Sequence, residues 1–151
     1  ESLLADGLAV ADHMRRMAPS AYQLLTENSV PFRFQDSGSD YRARHPIFEH
    51  DQFGRLAYVN WSNSTSAPLD IRFDDMKPMR AAIRMFLELI NSDRFLIERK
   101  LKAGEMLVFD NRRMLHGRKA FDPTTGDRHL QGCYLDTSEV ESRRYHGQSH
   151  D

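Results

Sequence analysis

Apolar residues recur along the chain in two rhythms, one helical and one alternating. Leu8, Val10, Ala11, Met14 and Met17 return at helical spacing, after a short apolar run at 2–5 and a turn expected at Asp6-Gly7. Pro19 ends or kinks that helix, and Ser20 is placed to cap a second one carrying Ala21, Leu24 and Leu25. Residues 29–36 alternate apolar and polar as a strand does. Residues 44–62 read as a β-hairpin with Asp51-Gln52-Phe53-Gly54 at its turn. The clearest helix covers about 75–91, where Met79, Ile83, Phe86, Leu87 and Ile90 form one apolar stripe. Residues 94–121 read as two or three strands broken at Lys102-Ala103-Gly104-Glu105. After a turn cluster at 122–127, residues 128–136 are expected as a strand antiparallel to the one carrying His116. The charged end, 138–151, reads as a short helix and a frayed tail. This order is mostly strands with helices packed on one side, which favours an antiparallel β sandwich or barrel with helical cover, an α+β arrangement.

Composition narrows the function classes. At 151 residues the chain has the length of one domain and can bury a core, and 40% hydrophobic residues suit a globular protein. A formal net charge of -1 gives no electrostatic support to a nucleic-acid or membrane partner. No apolar run approaches the roughly 20 residues that span a bilayer. One cysteine, Cys133, excludes an intrachain disulfide framework and points to a reducing, cytoplasm-like compartment. The chain opens on Glu1 and enters an apolar run at once, so it is expected to be a piece of a longer protein. No glycine-rich phosphate cradle is present.

The candidate chemistry lies in residues 109–136. His116 follows an apolar strand and precedes Gly117, where backbone can approach a bound group closely. A lone histidine in a strand is more often structural than a ligand. Arg128 opens the next predicted strand and can hold a carboxylate by a bidentate pair, or form a surface ion pair with Asp127 or Asp136. Tyr134 reads equally as a core aromatic of a barrel. On one strand face Arg128 and Tyr134 would stand six residues apart, on the order of 20 Å at ~3.3 Å per residue.

The blocks GEMLVFDNRRMLHGRKAF and DRHLQGCYLDTSEVESR, in that order, resemble the C-terminal end of the iron(II)/2-oxoglutarate dioxygenases of the γ-butyrobetaine hydroxylase and trimethyllysine hydroxylase group, within the taurine dioxygenase superfamily. The resemblance is dense from Gly104 to Arg143 and looser upstream, and it covers essentially the whole chain. It implies a double-stranded β-helix (jelly-roll-like) fold, incomplete at its N-terminus, as the C-terminal part of one catalytic domain. It implies an enzyme that uses iron(II) and 2-oxoglutarate to hydroxylate a small trimethylammonium substrate such as γ-butyrobetaine, in carnitine biosynthesis, or trimethyllysine. Carried over residue by residue, His116 matches an iron ligand, Arg128 the partner of the far carboxylate of 2-oxoglutarate, and Tyr134 a wall of an aromatic cage. Asn63 matches a substrate-facing asparagine. Family members often dimerise, so a homodimer is also expected.

One departure is plain. The family's iron site needs a His-x-Asp or His-x-Glu pair, and none of the 7 histidines has a carboxylate two residues on. His50-Asp51 is adjacent and falls at the predicted hairpin turn, so it reads as surface. By resemblance the pair and a small N-terminal zinc-binding module belong upstream of Glu1, and the piece alone should hold iron poorly. Two other readings fit the same residues: a catalytically inactive barrel fragment acting as a binding or interaction domain, and a dioxygenase of the same superfamily with a different small substrate.

Overall fold

The computed structural model describes residues 1–120, 124 and 129–147, with side chains described up to residue 144. It divides into two compact units, Glu1–Lys119 and Ala120–Asp151. In the first, the order is β1 (Ser2–Asp6), α1 (Gly7–Met17), α2 (Pro19–Glu27), β2 (Ser29–Gln35), β3 (Asp40–Pro46), β4 (Phe48–His50), β5 (Leu56–Val59), α3 (Phe73–Ile90), β6 (Leu96–Arg99) and β7 (Met114–Arg118). The second unit contributes α4 (Thr137–Gly147).

The strands form three small antiparallel sheets: a three-stranded one in the order β6-β1-β7, and the hairpins β2-β3 and β4-β5. The described chain is therefore mixed α/β with small sheets, not mainly β. Helix α3 alone runs 18 residues, whereas no strand exceeds 7. The two or three strands expected over 94–121 appear as two, β6 and β7, whereas the strand expected over 128–136 is not formed at its described residues. Residues 100–113 and 129–136 form neither helix nor strand; the strand carrying His116 is β7. The partner of that strand is β1. Alternation alone does not make a strand: each residue's amide and carbonyl must find a ladder partner, and among the described residues these segments find none.

Two expected boundaries also move. Asp6-Gly7 is not a turn; Asp6 caps α1, its Oδ1 accepting from the Leu8 and Ala9 amides at 3.0 and 3.4 Å. Ser20 lies inside α2, which begins with Pro19 at its first position, where the missing amide costs nothing.

The apolar faces of α1, α2 and α3 meet the hairpins in one core. Val10, Ala11, Met14, Leu25, Val30, Ile47, Phe48, Val59, Met79, Ala82 and Phe86 are buried there. Phe48 sits at its centre: Tyr22 stacks on it at 5.1 Å and Phe86 meets it edge-on at 5.7 Å. Trp61 in turn meets Phe86 edge-on at 6.1 Å and Phe32 at 6.5 Å. His50, expected at the surface, is half-buried in β4, and its Nε2 lies 2.8 Å from the Tyr22 hydroxyl. The hairpin turn beyond it is organised by Asp51, whose Oδ1 accepts from the amides of Phe53 and Arg55 at 2.8 and 2.9 Å. Gly54 adopts φ of 74° in that turn, a conformation side chains resist.

Gly7 is confined for another reason. A Cβ there would stand 2.7 Å from the Arg113 carbonyl oxygen and 2.9 Å from Val59 Cγ2. Gly7→Ala is therefore expected to destabilise the chain by about 1–3 kcal/mol, as overpacking does. The loss should be read as a lower urea midpoint at unchanged slope. Wild-type stability in that variant would contradict the close approach. Gly54→Ala meets no atom within 4 Å and should lose about 1–2 kcal/mol through backbone conformation alone.

Candidate active site

His116 is the third residue of β7, directly across from Leu4 of the central strand β1. Opposed residues of an antiparallel pair share a face, so His116 stands beside Leu4, with Ile97 of β6 on the other flank. Leu4 is buried and Ile97 exposed. The imidazole is exposed, and the ring of Phe109 lies 5.0 Å away, tilted at 48°. Its neighbour Leu115 projects to the opposite face, against the core. Gly117 is not crowded: a Cβ there would meet only Leu3 Cβ at 3.9 Å.

The turn that delivers β7 is built from Asp110 to Arg113. The Arg112 amide bonds Asp110 Oδ1 at 2.8 Å, while the amides of Arg113 and Met114 bond the Asp110 carbonyl at 3.1 and 2.8 Å. This turn is stitched to the rest of the unit on two sides. The Val59 amide donates to the Arg112 carbonyl at 2.9 Å, and the Gly7 amide donates to the Arg113 carbonyl at 3.0 Å. The Arg112 guanidinium lies 5.0 Å from the Tyr58 ring centre. The Arg113 guanidinium grips Asp6 with both ends of its fork, Nε to Oδ1 at 2.9 Å and Nη2 to Oδ2.

Asn63 lies in an exposed turn after β5, where its Oδ1 accepts from Trp61 Nε1 at 2.7 Å. The turn is anchored on β2 by Arg33 N to Thr65 O at 2.7 Å and Ala67 N to Pro31 O at 3.0 Å. No hydrogen bond or ring contact joins Asn63 to His116 among the described residues. Tyr134 belongs to the second unit and is exposed there, in a segment without helix or strand, so the strand expected to carry it is not formed. Arg128 lies outside the described residues.

The iron(II) implied by the resemblance can be tested against these donors. A site of that type needs imidazole and carboxylate groups converging on one point. Among the described residues no three His, Cys, Asp or Glu side chains stand close enough to hold a metal ion. The described residues do not make an iron site by themselves; His116 offers a single donor.

The chain belongs to the family described as taurine catabolism dioxygenase TauD, TfdA, whose sequence profile matches residues 1–134. It is 43% identical over 142 residues to the gamma-butyrobetaine dioxygenase of Pseudomonas sp. (strain AK-1), covering 94% of this chain and 37% of that protein. It is 33% identical over 150 residues to the human gamma-butyrobetaine dioxygenase, covering 95% and 38%. It is 28% identical over 145 residues to the mitochondrial trimethyllysine dioxygenase of Gallus gallus, covering 92% and 34%. The chain thus spans well under half the length of these relatives. No described helix is long and apolar enough to cross a membrane.

Sequence reasoning singled out His116 but not what holds it. Asp6 and Arg113 are 107 residues apart, and nothing in their local patterns pairs them. A partial signal was present in Asp6 itself, an acidic residue just ahead of an apolar helical run.

The grip has a pH signature. The Arg113 hydrogen bonds hold the Asp6 carboxyl below its usual range, helped by the amides of Ala9 and Leu8 and opposed by partial burial. A depressed folded-state pKa contributes stability above the unfolded value, lost as pH falls through the folded one. Urea midpoints should therefore fall on acidification below about pH 4, and more steeply in the wild type than in Asp6→Asn, which caps the helix without a charge. Parallel profiles for the two proteins would contradict this contribution.

Proposed function

We propose that this chain is part of an iron(II)/2-oxoglutarate-dependent dioxygenase that hydroxylates a small trimethylammonium compound, γ-butyrobetaine or trimethyllysine. The observation that carries the reading is the 43% identity to a gamma-butyrobetaine dioxygenase, running through 94% of the chain. The trimethyllysine relative, at 28% identity, supports the wider substrate class, and the higher identity to a gamma-butyrobetaine dioxygenase favours γ-butyrobetaine within it. The finer fold, a double-stranded β-helix, belongs to the same proposal and is supported by family membership across residues 1–134. So does the domain reading: the 151 residues are the C-terminal part of one catalytic domain, consistent with their covering 37% of the Pseudomonas relative.

In this reading iron(II) with 2-oxoglutarate and oxygen supplies the oxidising chemistry, and the chain's residues supply orientation. His116 gives one imidazole donor from a strand anchored at both ends. Arg128 holds the far carboxylate of 2-oxoglutarate by a bidentate pair, which suits a planar guanidinium better than an ammonium. Tyr134 offers a ring face to the quaternary ammonium, a cation with no hydrogen bond to donate. Asn63 presents an amide toward the substrate while Trp61 fixes its carbonyl oxygen. The single cysteine supports a reducing, cytoplasmic setting, and a homodimer is part of the proposal.

The test is turnover by the complete protein that contains this chain. Substrate, 2-oxoglutarate and oxygen should give hydroxylated substrate, succinate and carbon dioxide in equal amounts. His116→Ala should abolish turnover. Tyr134→Ala should weaken substrate affinity by about 10-fold or more, the loss of one desolvated cation–π contact, while leaving 2-oxoglutarate affinity unchanged. Absence of succinate release with both trimethylammonium substrates would overturn the assignment. Turnover with an unaffected Tyr134→Ala variant would point to a different substrate.

A further inference from the structure

We propose that two ion-pair clamps at the ends of β7 set its register on β1, making Arg113 and Lys119 positioning residues for His116. The inference rests on the reading of His116 as a site residue.

The hydrophobic pattern of β7 does not determine its register. The strand has five residues, and its two half-buried apolar ones, Met114 and Leu115, are neighbours that project to opposite faces. His116, Gly117 and Arg118 are exposed. A slip by one residue exchanges Met114 and Leu115 between the faces, so burial distinguishes the two registers only weakly. The same slip is not neutral for His116. It carries the imidazole from the face of Leu4 to that of Leu3 and Ala5, and shifts it about 3.3 Å along the strand.

The ends of the strand break this near-degeneracy. Just before β7, Arg113 grips Asp6 with both ends of its guanidinium, and its carbonyl accepts from the Gly7 amide at 3.0 Å. Just after β7, the Lys119 amide donates to the Glu1 carbonyl at 3.2 Å. The Lys119 ammonium lies 3.2 Å from the Glu1 carboxylate and also bonds Glu98 of β6, so it ties together all three strands of the sheet. Arg113 and Lys119 both pair with groups whose own positions are independent of β7: Asp6 caps α1, and Glu98 is held opposite Leu3. A slipped β7 would break both clamps at once. Exposed ion pairs add little to global stability, but a small bias suffices to choose between registers of similar burial.

The experiment compares wild type with Asp6→Asn/Lys119→Met in the complete protein that contains this chain, by amide hydrogen exchange and the imidazole Cε1–H resonance of His116. Asn at position 6 keeps the helix cap while removing the charge. The expected result is exchange of the β7 amides faster by about 10-fold or more, with the His116 resonance shifted or doubled. Val10, Phe48 and Phe86 should keep their protection within about twofold, the sign of local opening. Lys119→Arg, which retains the charge, should leave the His116 signal as in wild type. An unchanged His116 signal in the double variant would overturn the proposal, as would equal loss of protection in β7 and the core. Should the double variant fail to fold, each single substitution should shift the His116 signal by a smaller amount, and no shift in either overturns the proposal. Failure of the ligand reading is distinguishable: it would show as turnover surviving His116→Ala in the complete protein, whatever the register result.

Discussion

The carboxylate of Asp6 receives hydrogen bonds from the amides of Leu8 and Ala9 and from the guanidinium of Arg113. It ends β1, begins α1 and holds the turn that starts β7, so three elements from opposite ends of the first unit meet at one side chain. The arrangement works because Gly7 follows. With no Cβ, the helix start comes within hydrogen-bonding distance of the Arg113 carbonyl, and Val59 fills the remaining space. Charge, cap and absent side chain are one constraint; altering any of them disturbs the other two.

Behind this junction the helices serve as a floor. Their stripes bury Phe48 and Phe86 completely, and the aromatic chain from Tyr22 through Phe48 and Phe86 to Trp61 links the α2 side of the core to the turn that bears Asn63. Trp61 has two roles there: its ring packs against the core and its N–H fixes the Asn63 side chain. His116 and Asn63 therefore stand on supports of different kinds, one on an ion-paired edge strand and the other on a half-buried aromatic.

Helix α3 was legible because Met79, Phe86 and their neighbours repeat over several turns, a signal that survives any local detail. The hairpin around Gly54 was legible because its turn chemistry is local. The strand expected over 128–136 was misread for a physical reason. Whether an alternating segment becomes a strand depends on a partner, and pairing is a property of the whole sheet. His50 was misjudged likewise: its adjacency to Asp51 suggested surface, but the residue that decides its environment is Tyr22, 28 positions away. Of the candidate site, His116 stood out in the chain because the block around it is contiguous. Its anchoring by Asp6 and Lys119 did not, because those contacts join residues that share no local pattern.

Among the described residues β7 lies at the border of its sheet, with β1 on one side only. An unpaired strand border is a template on which other chains can add, the usual route to aggregation. Here it carries Arg118, and Lys119 follows immediately, so an incoming strand would have to bury cations beside it. The charges that fasten the strand inward thus also guard it outward. Both effects should weaken in high salt, which screens the cations and the Glu1 and Glu98 partners of Lys119 alike.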